Sequence, residues 1–244
     1  MILIGLASWI WVQAAGSTVA PVESPSLVQS GPELHQTGWG KRSEVTLSDG
    51  SRIWLDWRTK LAVAYSETSR QISIERGTAA FKVTSNVARP FIVEAHGARI
   101  VVTGTEFSVK VSEQRVDIGV IEGSVRVHAD AEVATLSKGH HIGVEAGNLE
   151  EVTVRGNKEL AGWRDGMLVF DRRPLQQVIT DLSRYLPYEV DTQFILPGTR
   201  LVTAVYFVDE AEQGLVSLLK AHHLEAEQTT RGITLREARL QRPL

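Results

Sequence analysis

Residues 89–109 read Arg89-Pro90-Phe91-Ile92-Val93-Glu94-Ala95-His96-Gly97-Ala98-Arg99-Ile100-Val101-Val102-Thr103-Gly104-Thr105-Glu106-Phe107-Ser108-Val109, and this stretch decides the fold. Apolar residues recur at every second position, as in β-strands that have one buried and one solvated face. Pro90 cannot donate to a ladder, so it marks the start of a strand. Gly104, inside a β-branched run, predicts a bulge or a close backbone approach. The stretch therefore predicts a series of short β-strands.

The same alternation extends in both directions. Upstream, Asp49-Gly50 is a strong hairpin turn signal between the alternating residues 45–47 and 51–55. Downstream, residues 116–120 lead through Glu122-Gly123 into another alternating run. Strand signals recur roughly every 8–12 residues, which is typical of a sandwich or barrel, and no useful helical period lies between residues 41 and 154. Residues 37–154 are therefore predicted to form an all-β sandwich or roll.

From residue 157 the pattern changes to strands that alternate with helices. Strands are predicted at residues 167–170, 188–192 and 201–208, a helix start at 171–174, helices at 175–186 and 211–221, a turn at Pro197-Gly198, and a hairpin of residues 224–228 and 233–236. This order predicts a small α+β module over residues 157–244, whose helices cover one face of a four- or five-stranded sheet. The predicted fold class is therefore mainly β, with an all-β domain followed by an α+β module.

The N-terminal segment is apolar. Residues 1–16 carry no charge, but a helix over residues 1–15 would be only about 22 Å long, shorter than the roughly 30 Å hydrocarbon core of a bilayer. We interpret residues 1–16 as part of a transmembrane helix or signal anchor, with a cleaved signal peptide and a buried helix as alternatives. Residues 17–36, which contain Ser, Thr, Pro and Gly, are predicted to be a linker.

Composition and motifs point away from catalysis. The net charge of −3 gives no reason to expect nucleic-acid binding. The absence of cysteine excludes disulfides, thiolate metal sites and cysteine nucleophiles, and no nucleotide-binding or hydrolase motif occurs. The pairs His140-His141, near Glu145, and His222-His223 are expected to be surface or loop histidines, because neighbouring side chains diverge. We therefore expect no catalytic residue, no cofactor and no metal.

Two other groups of side chains leave alternatives open. Glu94 and Glu106 could form a glycosidase pair, although charge on a strand surface is the preferred interpretation. Trp39, Trp54 and Trp57 could form a platform for a sugar or a cell-wall polymer. For these tryptophans, packing in the core or between domains is the preferred interpretation.

A series of short motifs follows the strand pattern: Leu47-Ser48-Asp49-Gly50-Ser51 with Trp54-Leu55, Glu75-Arg76-Gly77-Thr78-Ala79-Ala80-Phe81-Lys82-Val83, Arg89-Pro90-Phe91, Gly104-Thr105-Glu106-Phe107, Glu122-Gly123-Ser124-Val125, Trp163-Arg164-Asp165-Gly166-Met167-Leu168-Val169-Phe170, Pro174-Leu175 and Arg184-Tyr185. In order and spacing this series, over roughly residues 37–240, closely resembles the FecR family of ferric-citrate-type transmembrane regulators of Gram-negative bacteria. Thr78-Ala79 departs from the family, which often carries Glu in this strand.

The resemblance implies a role in signal transduction and in the regulation of iron transport. Such regulators stand between an outer-membrane TonB-dependent receptor and a cytoplasmic ECF-type sigma factor. Residues 37–154 would be the periplasmic FecR-like domain. Residues 157–244, which resemble the short domain shared by secretins and signalling TonB-dependent receptors, would be the receptor-interaction module. We expect a single-pass inner-membrane protein with most of the chain in the periplasm, which reaches the sigma factor only through a cytoplasmic segment absent here.

The expected partner surface is an uncovered strand edge of the module, because such an edge is a template for an added strand. Residues 201–208 are apolar at both odd and even positions, whereas a strand with one solvated face needs apolar residues only on its buried face. Together with the flank of the first helix, they predict a partner-binding set of Leu175, Val178, Leu182, Leu201, Val205, Tyr206 and Phe207.

Overall fold

The structure is a computed structural model, and it describes residues 31–112, 115–191, 200–229 and 232–237. The predicted membrane segment of residues 1–16 lies outside these ranges, as do residues 17–30 of the predicted linker and the predicted turn at Pro197-Gly198. Within the described ranges, no helix is long and apolar enough to cross a membrane.

The described residues up to Val154 form strands. These are β1 (Glu33–Gln36), β2 (Ser43–Thr46), β3 (Arg52–Leu55), β4 (Lys60–Tyr65), β5 (Arg70–Lys82), β6 (Phe91–Ala95), β7 (Ala98–Val102), β8 (Glu106–Val111), β9 (Arg115–Glu122), β10 (Ser124–Ala129), β11 (Glu132–Ser137), β12 (His140–Glu145), β13 (Asn148–Leu149) and β14 (Thr153–Val154). As predicted, no helix occurs among the described residues between Lys41 and Val154. We refer to residues 33–154 as the β domain.

β5 joins two sheets. Its first half pairs with β4 and β6, and its second half pairs with β3 and β8. One sheet therefore has the order β1-β4-β5-β6-β7-β10-β11, and the other has the order β2-β3-β5-β8-β9-β12. The halves meet at Gly77, whose φ is 99°. A Cβ there would lie 2.4 Å from the Cα of Thr59, so both the backbone angle and the close approach require glycine.

The two sheets share one hydrophobic core. Phe91 and Ile100 from the first sheet and Phe81, Phe107 and Ile118 from the second are completely buried in it. The rings of Phe81 and Phe107 stack with centroids 4.9 Å apart, an arrangement that adds about 0.5–1.5 kcal/mol to the effect of burial. The predicted mainly β fold class is confirmed.

The predicted Asp49-Gly50 turn connects β2 and β3 and also anchors a buried ion pair. Gly50 has φ 81°, and the Asp49 carboxylate accepts a 3.0 Å hydrogen bond from the Ser51 N–H. The same carboxylate accepts a 2.7 Å bond from Arg70, a completely buried side chain that also donates to backbone carbonyls between residues 84 and 89. The turn therefore neutralises a cation inside the β domain.

The predicted linker of residues 17–36 is wrong at its last four residues. Glu33–Gln36 form β1 and pair with β4. The reason is that β1 lies at the edge of its sheet with mostly exposed side chains, so its backbone pairing leaves no apolar alternation in the sequence.

The second part of the described chain contains α1 (Asn157–Ala161), a 3₁₀ helix (Gly162–Asp165), β15 (Met167–Pro174), α2 (Leu175–Ser183), β16 (Leu201–Phe207), a second 3₁₀ helix (Val208–Glu210), α3 (Ala211–Ala221), β17 (Leu224–Thr229) and β18 (Gly232–Glu237). We call the described residues from 157 onward the module. The β domain and the module belong to one compact unit that begins at Gly31, and their predicted division into separate domains stays a prediction.

Two boundaries and one additional helix in the module differ from the prediction. β15 continues to Pro174 through the predicted helix start, because a bulge with Arg172 at φ 47° lets the strand stay paired with β16. α2 ends at Ser183, where the next N–H groups form tighter turns that bond to Leu182 and Ser183. α1 was not predicted, because its five residues are too few to show a helical period.

The prediction of one four- or five-stranded sheet is wrong. Among the described residues, β15 pairs with β16 and β17 pairs with β18, in separate two-stranded sheets. A parallel bridge between Val190 and Ile233 adds to the second sheet. α3 packs against both β16 and β17, and side chains from both sheets and both helices share one core. The helices therefore bury apolar residues against two sheets instead of one.

Candidate partner-binding surface

β16 carries a row of exposed apolar side chains. Leu201, Val205 and Phe207 expose 47%, 56% and 54% of their surface. They share one face of the strand because even spacings separate them, whereas Val202 and Tyr206 turn toward the module core. Apolar side chains grouped in this way mark an interaction surface more often than scattered ones do. We call Leu201, Val205 and Phe207 the β16 row.

The outer edge of β16 is unpaired within the described residues. At one end of the β15–β16 ladder, the Val208 N–H donates a 2.8 Å hydrogen bond to the Gly166 carbonyl. Bonded and non-bonded positions alternate along an antiparallel pair, so the peptide groups of Val205 and Phe207 point away from β15. Free N–H and C=O groups beside an apolar row form the geometry to which an added strand binds.

The predicted partner residues on α2 lie in the core. Leu175, Val178 and Leu182 are 2%, 0% and 0% exposed, because α2 packs against β15, β16 and α3 and has no free apolar flank there. Tyr206 is half-buried, and its ring lies 6.2 Å from that of Phe170 on the inner side of the sheet. Of the predicted set, the structure brings only the β16 row together on a surface.

An aromatic cluster joins the module to the β domain. Trp57, just after β3, is 8% exposed, and its ring centroid lies 5.2 Å from that of Tyr185 and 5.3 Å from that of Trp39. Trp39 Nε1 donates a 2.7 Å hydrogen bond to the Leu186 carbonyl. The Tyr185 hydroxyl donates to Oδ2 of Asp56, which is 1% exposed. We call Trp39, Trp57 and Tyr185, together with Asp56, the aromatic junction.

The polar centre of the aromatic junction is incompletely satisfied. Burial raises the pKa of Asp56, against the opposing charge of Arg184 and the hydrogen bond from Tyr185. Burial and the Asp56 charge also raise the pKa of Tyr185 well above its ordinary value, so the hydroxyl keeps its proton. The second oxygen of Asp56, Oδ1, is buried and makes no hydrogen bond within the described residues. The aromatic junction therefore contains one buried hydrogen-bond acceptor without a partner among the described residues.

Further polar contacts connect the two parts. These are Arg164 with Glu106 at 2.8 Å, Lys110 with Asp181, and Arg42 Nη1 with the Trp163 carbonyl at 2.8 Å. Two of them end on β8, whose outward side chains Ser108 and Lys110 are covered by the module instead of facing water. The module therefore makes direct polar contacts with a central strand of the β domain.

Residues 33–126 match the family model described as FecR protein. Residues 33–126 therefore form a FecR domain. Two crystal structures of a "putative anti-sigma factor" from Parabacteroides distasonis also match. The structure at 1.65 Å resolution is 23% identical over 84% of this chain and 99% of its own, with a TM-score of 0.74. The structure at 2.50 Å is 23% identical over 85% and 99%, with a TM-score of 0.73. At this identity the likeness shows the fold, and no curated protein matches the chain.

The FecR motifs have structural roles in the fold. A Cβ on Gly104 would lie 2.7 Å from the Ser85 side chain, which confirms the predicted close approach. The Thr105 hydroxyl donates a 2.8 Å bond to the Ser124 carbonyl, and Gly123 between them has φ 86°. The Gly104 and Gly123 motifs therefore hold the start of β8 against the β9–β10 turn.

The tryptophans of the FecR domain are occupied by contacts within the protein. Trp54 has the guanidinium groups of Arg52 and Arg164 each 4.9 Å from its ring. Trp57 is buried in the aromatic junction, and only Trp39 keeps a large exposed fraction, at 47%. This arrangement supports packing between the two parts of the chain over the sugar-binding platform.

The carboxylates considered as a glycosidase pair are engaged in ion pairs. Glu94 lies 2.7 Å from Arg99 on the neighbouring strand β7. Glu106 lies 2.8 Å from Arg164 and 3.8 Å from Lys82. Each carboxylate therefore has cationic partners of its own, which supports the interpretation as charge on a strand surface.

His141 is buried, so its assignment to the surface or a loop is wrong. Its Nε2 lies 3.1 Å from Asp117, and β14 covers it through Thr153, a backbone partner that the sequence pattern does not show. Burial lowers the pKa of His141, with Asp117 opposing the shift. Burial alone would raise the pKa of Asp117, but the His141 hydrogen bond and nearby cations hold it far below its ordinary range. No group of three metal-ligating side chains occurs in the described part of the chain.

Sequence reasoning missed the pairing of Asp56 with Tyr185. The two residues are 129 positions apart, and a lone Asp beside a tryptophan carries no pattern that predicts burial. The available signal was Arg184-Tyr185, the last member of the FecR-like motif series, for which the sequence predicts no partner. The charge of Arg184, together with a smaller contribution from Arg42, acts on Asp56.

Proposed function

We propose that this chain is the extracytoplasmic portion of a FecR-like signal-transduction regulator, held at the inner membrane by its apolar N-terminal segment with most of its residues in the periplasm. The module binds the signalling domain of an outer-membrane TonB-dependent receptor. The β domain relays that event toward the membrane and, through a cytoplasmic segment outside residues 1–244, to an ECF-type sigma factor. The mechanism is binding and transmission, without a catalytic step.

The family match supports the regulatory part of this proposal, because FecR proteins are regulators of signalling and in general not enzymes. The observation that carries the binding part is the β16 row beside an unpaired strand edge. The receptor domain would add a strand to this edge, with main-chain hydrogen bonds for affinity and side chains against Val205 and Phe207 for specificity.

A continuous set of contacts leads from this edge to the β domain. β16 pairs with β15, and β15 runs directly into α2 at Leu175. Tyr185, two residues beyond α2, contacts Asp56 and Trp57. Because these links are strand pairing, a direct chain connection, a hydrogen bond and a buried ring contact, a shift of β16 on binding should change the contacts at the aromatic junction.

The test uses a proline at the free edge. The Val205 N–H points away from β15, so Val205→Pro removes a donor that the β15–β16 ladder does not use. Loss of one main-chain hydrogen bond and of local strand geometry should weaken binding of the cognate receptor signalling domain about 10- to 100-fold in calorimetry. Val205→Thr, which keeps the N–H and removes apolar character, should have a smaller effect.

The matched control is Val216→Thr on α3, the same change at a residue that is 45% exposed and does not belong to the β16 row. The affinity of this control variant for the receptor signalling domain should equal that of the unmodified chain. Each variant is first shown by thermal unfolding to be folded. Undiminished binding by a folded Val205→Pro variant would exclude this edge.

A further inference from the structure

A cavity of about 100 Å³ lies between the β domain and the module. β5, β8, β9 and β12 contribute residues to one wall, and α1, the first 3₁₀ helix, β15 and α2 contribute residues to the other. The donor side chains that line it include Thr78, Lys110, Arg155, Trp163, Arg173 and Arg184. A space of this size holds several water molecules, and therefore also one small polar ligand of a few heavy atoms.

Two of these donors are buried and unpartnered. Trp163 is 6% exposed and Thr78 is 5% exposed, and neither Trp163 Nε1 nor Thr78 Oγ1 has a hydrogen-bond partner within the described residues. The indole N–H can only donate. A buried donor without an acceptor costs about 1–3 kcal/mol. Water does not reach either donor atom in the present arrangement, so an acceptor in the cavity would relieve this cost after a small rotation of the side chain toward it.

The cations that line the cavity outnumber its carboxylates by four to three, and the charge of Arg184 also acts on Asp56 at the aromatic junction. Arg155 and Arg184 make no ion pair in the described part of the chain, and Arg173 bonds only the neutral Gln177 side chain, at 2.7 Å. Burial and the Arg173 charge lower the pKa of Arg155 to about 10. The lining carboxylates bond elsewhere: Asp181 to Lys110, Asp117 to His141 and Arg115, and Glu159 to the Gly156 N–H. The remaining positive charge favours an anion.

We propose that this cavity binds a small oxyanion, either a phosphate group or a carboxylate. Arg155 and Arg184 supply the opposite charge, and the Trp163 N–H and the Thr78 hydroxyl donate hydrogen bonds to its oxygens. The donors come from both sides of the cavity, so the bound anion ties the module to the β domain and stabilises their present arrangement. This site is independent of the receptor-binding edge on β16.

The test is thermal unfolding of the full chain during titration with sodium phosphate and, separately, with sodium acetate, at an ionic strength held constant with sodium chloride. At about five times its Kd, the bound anion should raise Tm by about 2–4 °C, and the rise should saturate. A saturable rise in Tm with phosphate alone would identify the ligand group as a phosphate, and a rise with acetate alone would identify it as a carboxylate. The absence of a saturable rise with either anion overturns the proposal.

Two variants separate binding from folding. Arg155→Gln should abolish the rise in Tm, whereas Arg126→Gln, at an exposed arginine on β10, should leave it unchanged. Trp163→Phe should be at least as stable as the unmodified chain without anion, because it removes an unpaired donor, yet its rise at a given anion concentration should be smaller. An undiminished rise in Trp163→Phe overturns the proposal, and this holds even if Arg155→Gln does not fold.

Discussion

The chain contains two buried polar centres of opposite character. In the β domain, Arg70 meets Asp49 at 2.7 Å and uses its other donors on nearby backbone carbonyls. In the aromatic junction, Asp56 accepts from Tyr185 through one oxygen and leaves the other unpartnered among the described residues. The first centre pairs opposite charges within one sandwich, whereas the second is shared between two parts of the chain and incompletely satisfied.

The difference shows in the pKa values of the two carboxyl groups. Burial acts against the charged form of Asp49, but the Arg70 and Ser51 contacts outweigh it and lower the pKa. At Asp56 burial prevails, and the pKa is raised. The paired charges of Asp49 and Arg70 stabilise one arrangement of their side chains. The contacts of Asp56, whose charged form is disfavoured by burial, should cost less free energy to rearrange. We infer that the β domain is built to keep its shape and that the junction is where the two parts can adjust.

The largest expected effect is at the paired centre. Arg70→Met leaves the Asp49 carboxylate without its cation and backbone carbonyls without donors, so the free energy of unfolding should fall by about 3–5 kcal/mol. Urea unfolding followed by tryptophan fluorescence measures this loss. The matched control is Arg76→Met on the same strand, where the side chain is 57% exposed and pairs with Glu75. That change should lower the free energy of unfolding by less than about 1 kcal/mol. Equal losses in the two variants would contradict the assignment of Arg70 and Asp49 as a stabilising buried pair.

The second effect is at the junction. Tyr185→Phe removes the hydrogen bond to the Asp56 carboxylate while keeping the ring against Trp57, and should lower the free energy of unfolding by about 1–3 kcal/mol. Hydrogen exchange should accelerate in β15 and α2 more than in β5, because the loss loosens the module first. Tyr188→Phe is the control in the same module, since that hydroxyl bonds Glu212 at 2.9 Å near the surface. Uniform acceleration across both parts would show that the junction is no weaker than the β domain.

How far the sequence predicts this architecture depends on the range of the interaction. Alternation around Phe91 and the Asp49-Gly50 turn predict strands and a hairpin because both signals are local. The close approach at Gly104 was predictable for the same reason, since a glycine within a β-branched run needs a local explanation. The partner of each element was not predictable in this way.

The apolar stripe of α2 illustrates this limit. The period through Leu175, Val178 and Leu182 predicts a helix with one buried face, but it does not say that a second helix, α3, packs beside α2. The junction illustrates it further, because Asp56 and Tyr185 meet across 129 positions without any shared pattern. A partner surface consists of the residues that stay exposed after such contacts have formed. The exposed β16 row can therefore be distinguished from the buried residues Leu175, Val178 and Leu182 only in the folded structure.

The smallest effect, and the one that tests the comparison most directly, is the pH dependence of Asp56→Asn. Burial raises the folded-state pKa of Asp56 above its unfolded value, so as pH rises through the ordinary range of aspartate the unfolded state releases this proton first. Wild-type stability then falls until the pH passes the folded-state pKa and stays at the lower level above it.

The asparagine variant keeps an acceptor for Tyr185 and has no charge to bury. Its stability relative to wild type should therefore be lowest in acid, increase with pH and then level off, in urea unfolding from about pH 4 to pH 8. If the relative stability of Asp56→Asn instead decreases with rising pH, the ionised carboxylate is stabilised by Arg184 as Asp49 is by Arg70, and the two centres are of the same kind.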